Sequence, residues 1–205
     1  MRLAICVPSM EMVHADFMIS LAGLVQELFN NPPEGLEAVQ VRNDRGSLVH
    51  MIREYLIRDT LETSATHILF LDSDMVFPKD TFHRLLSHDK DMVGGNYVQR
   101  TVPAIPNTVT TEGKPMYTRE ESTGLEEFFS SGLGCVLIKR EVFEKTERPW
   151  FDTYWKPDGI IVGEDIFFFL KARKAGFIPY IDHDLSKEIK HIGMFEYTNS
   201  MAMIE

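Results

Sequence analysis

Two carboxylates leave an apolar run together at Asp72-Ser73-Asp74, directly after Ile68-Leu69-Phe70-Leu71. Oxygen ligands placed this way can hold a hard divalent cation against a diphosphate, because such cations take one or two carboxylates and fill their remaining positions with phosphate oxygens and water. The same spacing also describes an ordinary strand-end turn, and D-x-D recurs at Asp89/Asp91 and Asp182/Asp184. The Asp89 pair follows a helical stretch and reads as a solvated turn; the Asp182 pair follows an apolar strand and is a rival. A second group, Gly163-Glu164-Asp165, opens a stretch that continues Ile166-Phe167-Phe168-Phe169-Leu170. Negative charge is favoured at a helix N-terminus, so the two acids read as a capped first turn. A carboxylate partly covered by aromatic surface would also suit a general base. His191, in Glu188-Ile189-Lys190-His191-Ile192-Gly193, reads either as a structural histidine or as an imidazole ligand for a divalent metal, with His183 a weaker ligand candidate.

Other chemistries lack their sequence signals. No G-x-x-x-x-G-K-[ST] phosphate loop is present, and no G-x-G-x-x-G follows the first strand; Gly132-Leu133-Gly134 is only a fragment of that pattern. No G-x-S-x-G or Cys-His pairing supports a hydrolase nucleophile.

The elements that must position these groups follow from periodicity. Strands are expected at Arg2 to Val7, Glu37 to Val41 and His67 to Leu71, alternating with helices at Asp16 to Phe29 and Leu48 to Leu61. That alternation favours parallel strands flanked by helices. A helix from about Lys79 to His88 and a strand at Met92 to Tyr97 come next. Thr101 to Leu125, rich in Thr, Pro, Gly and Glu, reads as loops with brief extended pieces at Asn107 to Thr110 and Met116 to Thr118. Strands at Glu126 to Ser130 and Gly134 to Lys139, helices at Glu141 to Lys145 and Glu164 to Ala175, and a strand at Phe177 to Ile181 complete the pattern. Ligands of parallel α/β sheets bind at the carboxyl ends of strands, which points to Pro8 to Glu11, Arg42 to Arg45 and Asp72 to Asp74.

With 205 residues and 44% hydrophobic content, the chain can bury a substantial core as one unit. A formal charge of −10 argues against a broad basic footprint for nucleic acid or an anionic membrane. Cys6 and Cys135 lie in apolar runs and read as buried core. No stretch has the length of a membrane span or the pattern of a signal peptide, so a cytoplasmic protein is expected.

The ordered set resembles glycosyltransferase family 2 and its small bacterial and phage-encoded relatives. It comprises Val7-Pro8-Ser9, Arg53, Phe70-Leu71-Asp72-Ser73-Asp74-Met75, Val93-Gly94-Gly95-Asn96-Tyr97, Ser131-Gly132-Leu133-Gly134-Cys135-Val136-Leu137-Ile138, Gly163-Glu164-Asp165 and His191-Ile192-Gly193. The resemblance implies an α/β GT-A (nucleotide-diphospho-sugar transferase) fold, with a Rossmann-like mixed sheet flanked by helices. It divides the chain into a nucleotide-sugar-binding half, 1–98, an acceptor-side half, 99–192, and a tail or lid, 193–205. It implies that Asp72, Asp74 and His191 hold Mn²⁺ or Mg²⁺ on the diphosphate, and that Pro8, Ser9 and Glu11 line the nucleoside pocket. Arg53, Asp72 and Ser73 would contact the donor, a UDP-sugar foremost, and Gly132 and Gly134 would let backbone approach it. Asp165 would be the catalytic base, with Glu164 its neighbour in acceptor binding. With only a short stretch after His191, no large acceptor domain or membrane anchor is expected.

The expected reaction is a single displacement with inversion, in which Arg100 could assist the diphosphate. A glycan is the expected acceptor. A hydroxymethylated DNA base is conceivable if Arg119, Lys139, Arg140, Arg173 and Lys174 form a positive strip. The other readings are a sugar-phosphate nucleotidyltransferase, whose usual Gly-rich N-terminal loop is missing, and a non-catalytic nucleotide-sugar or glycan-binding module.

Overall fold

The computed structural model describes residues 1–193. All but the first residue of the expected tail or lid, 193–205, lies outside that range.

The chain opens with strand β1 (Arg2–Ser9), helix α1 (Ala15–Asn30), strand β2 (Ala38–Arg45), helix α2 (Val49–Leu61) and strand β3 (His67–Leu71). Both β2 and β3 pair with β1 in parallel, as the alternation of strand and helix requires. A short strand β4 (Met75–Val76), helix α3 (Thr81–Ser87) and strand β5 (Met92–Gly94) follow. Beyond them come β6 (Val109–Thr110), β7 (Leu125–Ser130), β8 (Cys135–Lys139), α4 (Arg140–Lys145), β9 (Tyr154–Trp155) and β10 (Ile161–Val162). The described chain closes with α5 (Glu164–Lys174), β11 (Pro179–Asp182), α6 (His183–Ser186) and β12 (Lys190–His191).

Eight strands form one sheet in the order β2-β1-β3-β8-β5-β11-β7-β6. It is mixed: β8 runs antiparallel between β3 and β5, and β7 lies antiparallel to β11. Alternate side chains of each central strand feed opposite layers. Leu3, Ile5 and Val7 of β1 and Leu69 and Leu71 of β3 pack with Phe17, Leu24 and Leu28 of α1 and Phe82 of α3. Ala4, Cys6, Ile68 and Phe70 face the other way, onto Ile52 and Leu56 of α2, Phe143 of α4 and Phe168 of α5. The aromatic run that opens α5 is therefore core: Phe168 stacks on Phe143 and Phe151, with ring centroids 5.3 and 5.1 Å away. Both cysteines are free and buried, and burial pushes their thiols up to about 11 for Cys6 and about 12 for Cys135.

The structure departs from the sequence reading at three places that shape the site. Residues 42–45, expected as a loop, continue β2 opposite Cys6 to Ser9. An edge strand tolerates their polar side chains because one side of it faces water. The strand expected to reach Tyr97 ends at Gly94, after which the Asn96 amide donates to Ser186 Oγ, 2.8 Å away, instead of continuing the ladder. A side chain at Gly94 would place Cβ 2.6 Å from the Cys135 carbonyl oxygen, so only glycine fits where the chain leaves the sheet. Strands β4 and β12, too short for periodicity to reveal, pair antiparallel and set His191 opposite Met75, directly after Asp74.

Candidate active site

The end of β3 and the start of α5 are joined by one buried arginine. Arg53, from the middle of α2, directs Nη2 to Asp72 Oδ1 at 2.7 Å and Nη1 to Glu164 Oε1, while its side chain is only 4% exposed. Burial opposes its charge, but the two carboxylates outweigh that cost, and the guanidinium is held more firmly protonated than usual. The planar fork suits the task, since it can donate to two acids that approach from different elements. Glu164 and Asp165 do occupy the first turn of α5, as their place at a helix N-terminus favours.

Asp165 accepts the Ile166 amide on Oδ1 at 2.7 Å. Burial first, and then the neighbouring Glu164 charge, push its carboxyl up to about 6; Arg53 pulls the other way and Asp72 adds to the rise. An acid tuned to that range is a competent proton acceptor near neutral pH.

Asp74 faces the other side of the β3 turn. Its Oδ2 accepts from Arg100 Nη1 at 2.8 Å and lies 3.4 Å from His191 Nε2. His191 Nδ1 is 2.8 Å from the Val98 carbonyl oxygen, which can only accept, so Nδ1 carries a proton. Nε2 then faces a carboxylate either as a donor or across a cation. The Asp74 hydrogen bond raises the His191 pKa; burial lifts that of Asp74, and His191 and Arg100 more than reverse it. A histidine anchored through one nitrogen on a backbone carbonyl, with the other turned to a carboxylate, is the arrangement metal-binding imidazoles use. Asp72, the remaining member of the expected metal set, is instead turned to Arg53. Among the described residues no three His, Cys, Asp or Glu side chains converge as a metal cluster.

Tyr97 stands between the two halves. Its hydroxyl accepts the Gly134 amide at 3.0 Å, its ring meets the His191 ring edge-on at 5.2 Å, and burial foremost, with the Asp72 charge, raises its pKa well above normal. The glycines at 132 and 134 make room for it. A Cβ there would lie 2.1 and 2.7 Å from its hydroxyl oxygen, so Tyr97 takes the space the sequence reading assigns to a donor.

Pro8 and Ser9 end β1 with both side chains buried, whereas Glu11 is exposed in the following loop. Asn43 of β2 donates to the Val7 carbonyl at 2.9 Å and to Ser9 Oγ at 2.8 Å, which fixes that strand end. Ser73 supplies its carbonyl to the His14 amide at 3.1 Å and ties the β3 turn to the start of α1. Tyr97 has no role assigned from sequence, and Asn43 is flagged only as part of the 42–45 strand-end stretch. The signal for Tyr97 is an aromatic residue with a polar tip directly after Gly94-Gly95-Asn96; Asn43 is hidden by the misplaced end of β2.

The rival D-x-D pairs have structural work. Asp182 caps α6 by accepting the Leu185 amide at 2.9 Å and lies 2.9 Å from His88 Nε2, while Asp184 accepts the Gly124 amide at 2.8 Å. Both ring nitrogens of His183 are engaged, by Thr118 and Glu126, each at 2.9 Å. Asp89 and Asp91 bind Lys139 at 2.8 and 3.5 Å. Arg140 is spent on Glu144 and the carbonyls of Leu61 and Thr63, and Arg173 on Glu127, so Lys139, Arg140 and Arg173 of the expected positive strip are engaged, while exposed Arg119 reaches Glu121 only at 4.0 Å.

The large mixed sheet flanked by helices matches solved glycosyltransferases of the GT-A type. GalNAc-T7, solved with UDP, GalNAc and Mn²⁺, aligns with a TM-score of 0.61 at 11% identity over 95% of this chain and 43% of its own. S. aureus TarS 1–349, in complex with UDP-GlcNAc, aligns at 0.55 and 14% identity over 100% of this chain and 62% of its own. A197 from STIV aligns at 0.56 and 24% identity, covering 88% of this chain and 81% of its own. This chain thus spans less than two thirds of the TarS chain and under half of the GalNAc-T7 chain. At these identities the likeness establishes the GT-A fold. No family model and no curated protein matches the sequence. Among the described residues no helix is long and apolar enough to cross a membrane.

Proposed function

We propose that this chain is a family 2-like glycosyltransferase that moves a sugar from a nucleotide diphosphate donor, a UDP-sugar foremost, to an acceptor hydroxyl with inversion. The observation that carries the reading is the Arg53 bridge. It ties Asp72, at the β3 end, to Glu164 beside Asp165. Solved proteins of the same fold contain UDP-GlcNAc, or UDP with Mn²⁺.

In this reading Pro8, Ser9 and Glu11 line the nucleoside, with Asn43 fixing the strand end, and Asp72 and Ser73 lie along the diphosphate. Arg53 holds Asp72 and Glu164 apart at fixed positions. Asp74 and His191 fit a divalent cation, Mn²⁺ or Mg²⁺, as a two-residue set whose remaining positions fall to diphosphate oxygens and water. Such a cation, when bound, offsets the charge that develops on the leaving diphosphate. Arg100, now on Asp74, is free to turn its guanidinium to the same phosphates, since its side chain is 53% exposed. Asp165 accepts the acceptor hydroxyl's proton as that oxygen bonds to the anomeric carbon and the bond to the nucleoside diphosphate breaks. Glu164 orients the acceptor alongside. The pairing of Lys139, Arg140 and Arg173 with carboxylates favours a glycan hydroxyl over a DNA base.

Incubation with a panel of nucleotide sugars and Mn²⁺ is expected to release nucleoside diphosphate, and EDTA to suppress it. His191→Ala should raise the Mn²⁺ needed for half-maximal turnover by about 10–100-fold. Full turnover in EDTA would remove the metal from the account. A donor that binds but is never consumed, with any acceptor, would make the protein a binding module.

A further inference from the structure

A cavity of about 460 Å³ opens beside the Asp74 and His191 pair, with Tyr97, His191, Pro106, Tyr117 and Ile189 in its lining. That volume suits a small ligand. Three features indicate what it would take.

First, Asn96 lines the cavity, is only 5% exposed and is held rigidly: its Nδ2 donates to the Met116 carbonyl at 2.8 Å and to Thr118 Oγ1 at 3.1 Å, while Oδ1 is closed off by the surrounding protein, so this part of the wall keeps a fixed shape. Second, Lys187 and Lys190 stand on the lining, in a chain of net charge −10. Lys187 reaches Asp184 only at 3.5 Å, and Lys190 has no carboxylate within ion-pair distance among the described residues. Glu188, between them, is turned away to Arg84 at 2.6 Å. Third, the tyrosines and Pro106 offer flat apolar surface of the kind that packs against a sugar ring.

We propose that this cavity is a second ligand site, which binds a ring bearing hydroxyls together with one phosphate or carboxylate. The lysines receive the anion, and the ring rests on Tyr117 and Pro106. Tyr97 and His191 form the wall shared with the transferase site. Naming this ligand as the acceptor rests on the transferase reading above; the binding itself does not.

Glucose 6-phosphate, glucuronate and glucose, titrated separately into the protein and followed by NMR shifts, are the probes. At least one of the two anionic sugars is expected to bind saturably and at least tenfold more tightly than glucose. Which one does so distinguishes a phosphate from a carboxylate ligand. Lys187→Gln with Lys190→Gln, both exposed and therefore harmless to folding, should erase the preference. Equal binding of glucose, unchanged binding by the double variant, or no saturable shift with any probe overturns the site. Loss of donor turnover with anionic sugar binding intact would instead count against the transferase reading alone.

Discussion

Asp165→Asn is expected to cut turnover by about 10²–10⁴-fold, the usual contribution of a positioned base, and at the same time to make the protein more stable at neutral pH. The stability gain follows from the raised carboxyl. An unfolded aspartate ionises near its ordinary value, whereas burial and Glu164 delay ionisation in the folded state to about 6. Between those two pH values the folded protein holds the extra proton, so stability falls as pH rises through the interval, and the full penalty is present above about 6. Asparagine removes the penalty while its Oδ1 can still accept the Ile166 amide. The gain should approach about 2–3 kcal/mol at pH 7 and vanish below about pH 4. Wild-type turnover, by the same reasoning, should fall as pH drops through about 6 and Asp165 takes up its proton. Denaturation at pH 4 and pH 7, beside a pH–rate profile, checks both. A variant that keeps full turnover, or loses stability equally at both pH values, would contradict the role given to Asp165.

Arg53→Met should be the most damaging single change in the site. It leaves Asp72 and Glu164 facing each other, partly buried and without their shared cation, at an expected cost of about 3–5 kcal/mol. Arg53 also holds the Asp165 carboxyl down. In whatever fraction folds, the acid limb of the pH–rate profile should therefore move upward. Arg53→Lys keeps the charge but not the fork, so it should fall between wild type and Arg53→Met in stability. Urea denaturation of the three proteins tests the order. If Arg53→Met is as stable as wild type, the bridge is a surface ion pair with no organising role.

The layers of this fold were legible because they rest on long periodic segments. The 3.6-residue pattern of α1 and α2 and the unbroken apolar run of β3 appear in the structure within a residue or two. The acids of the site were legible because each follows or opens such a segment: Asp72 and Asp74 behind β3, Glu164 and Asp165 at the head of α5. Their mutual arrangement was not. The pairing of β4 with β12 is two residues long on each side, below any periodic signal, yet it brings His191 to Asp74 across more than a hundred residues of chain. Arg53 is expected from the resemblance as a donor contact, and only packing shows it buried between two acids. Gly132 and Gly134 were visible as a need for close approach, but what approaches is Tyr97, a residue distant in the chain. The Asp182 pair was indistinguishable from the Asp72 pair by spacing; its acids are absorbed by α6 and by backbone amides.

The most direct test of one shared donor site is a crystal of the protein soaked with UDP and Mn²⁺. An anomalous manganese peak is expected within about 2.0–2.3 Å of Asp74 and His191, touching the diphosphate, with the uridine against Pro8 and Ser9. Manganese on the Asp182 pair, or UDP in the separate pocket that Arg42 and Tyr55 help to line, would contradict a shared donor site.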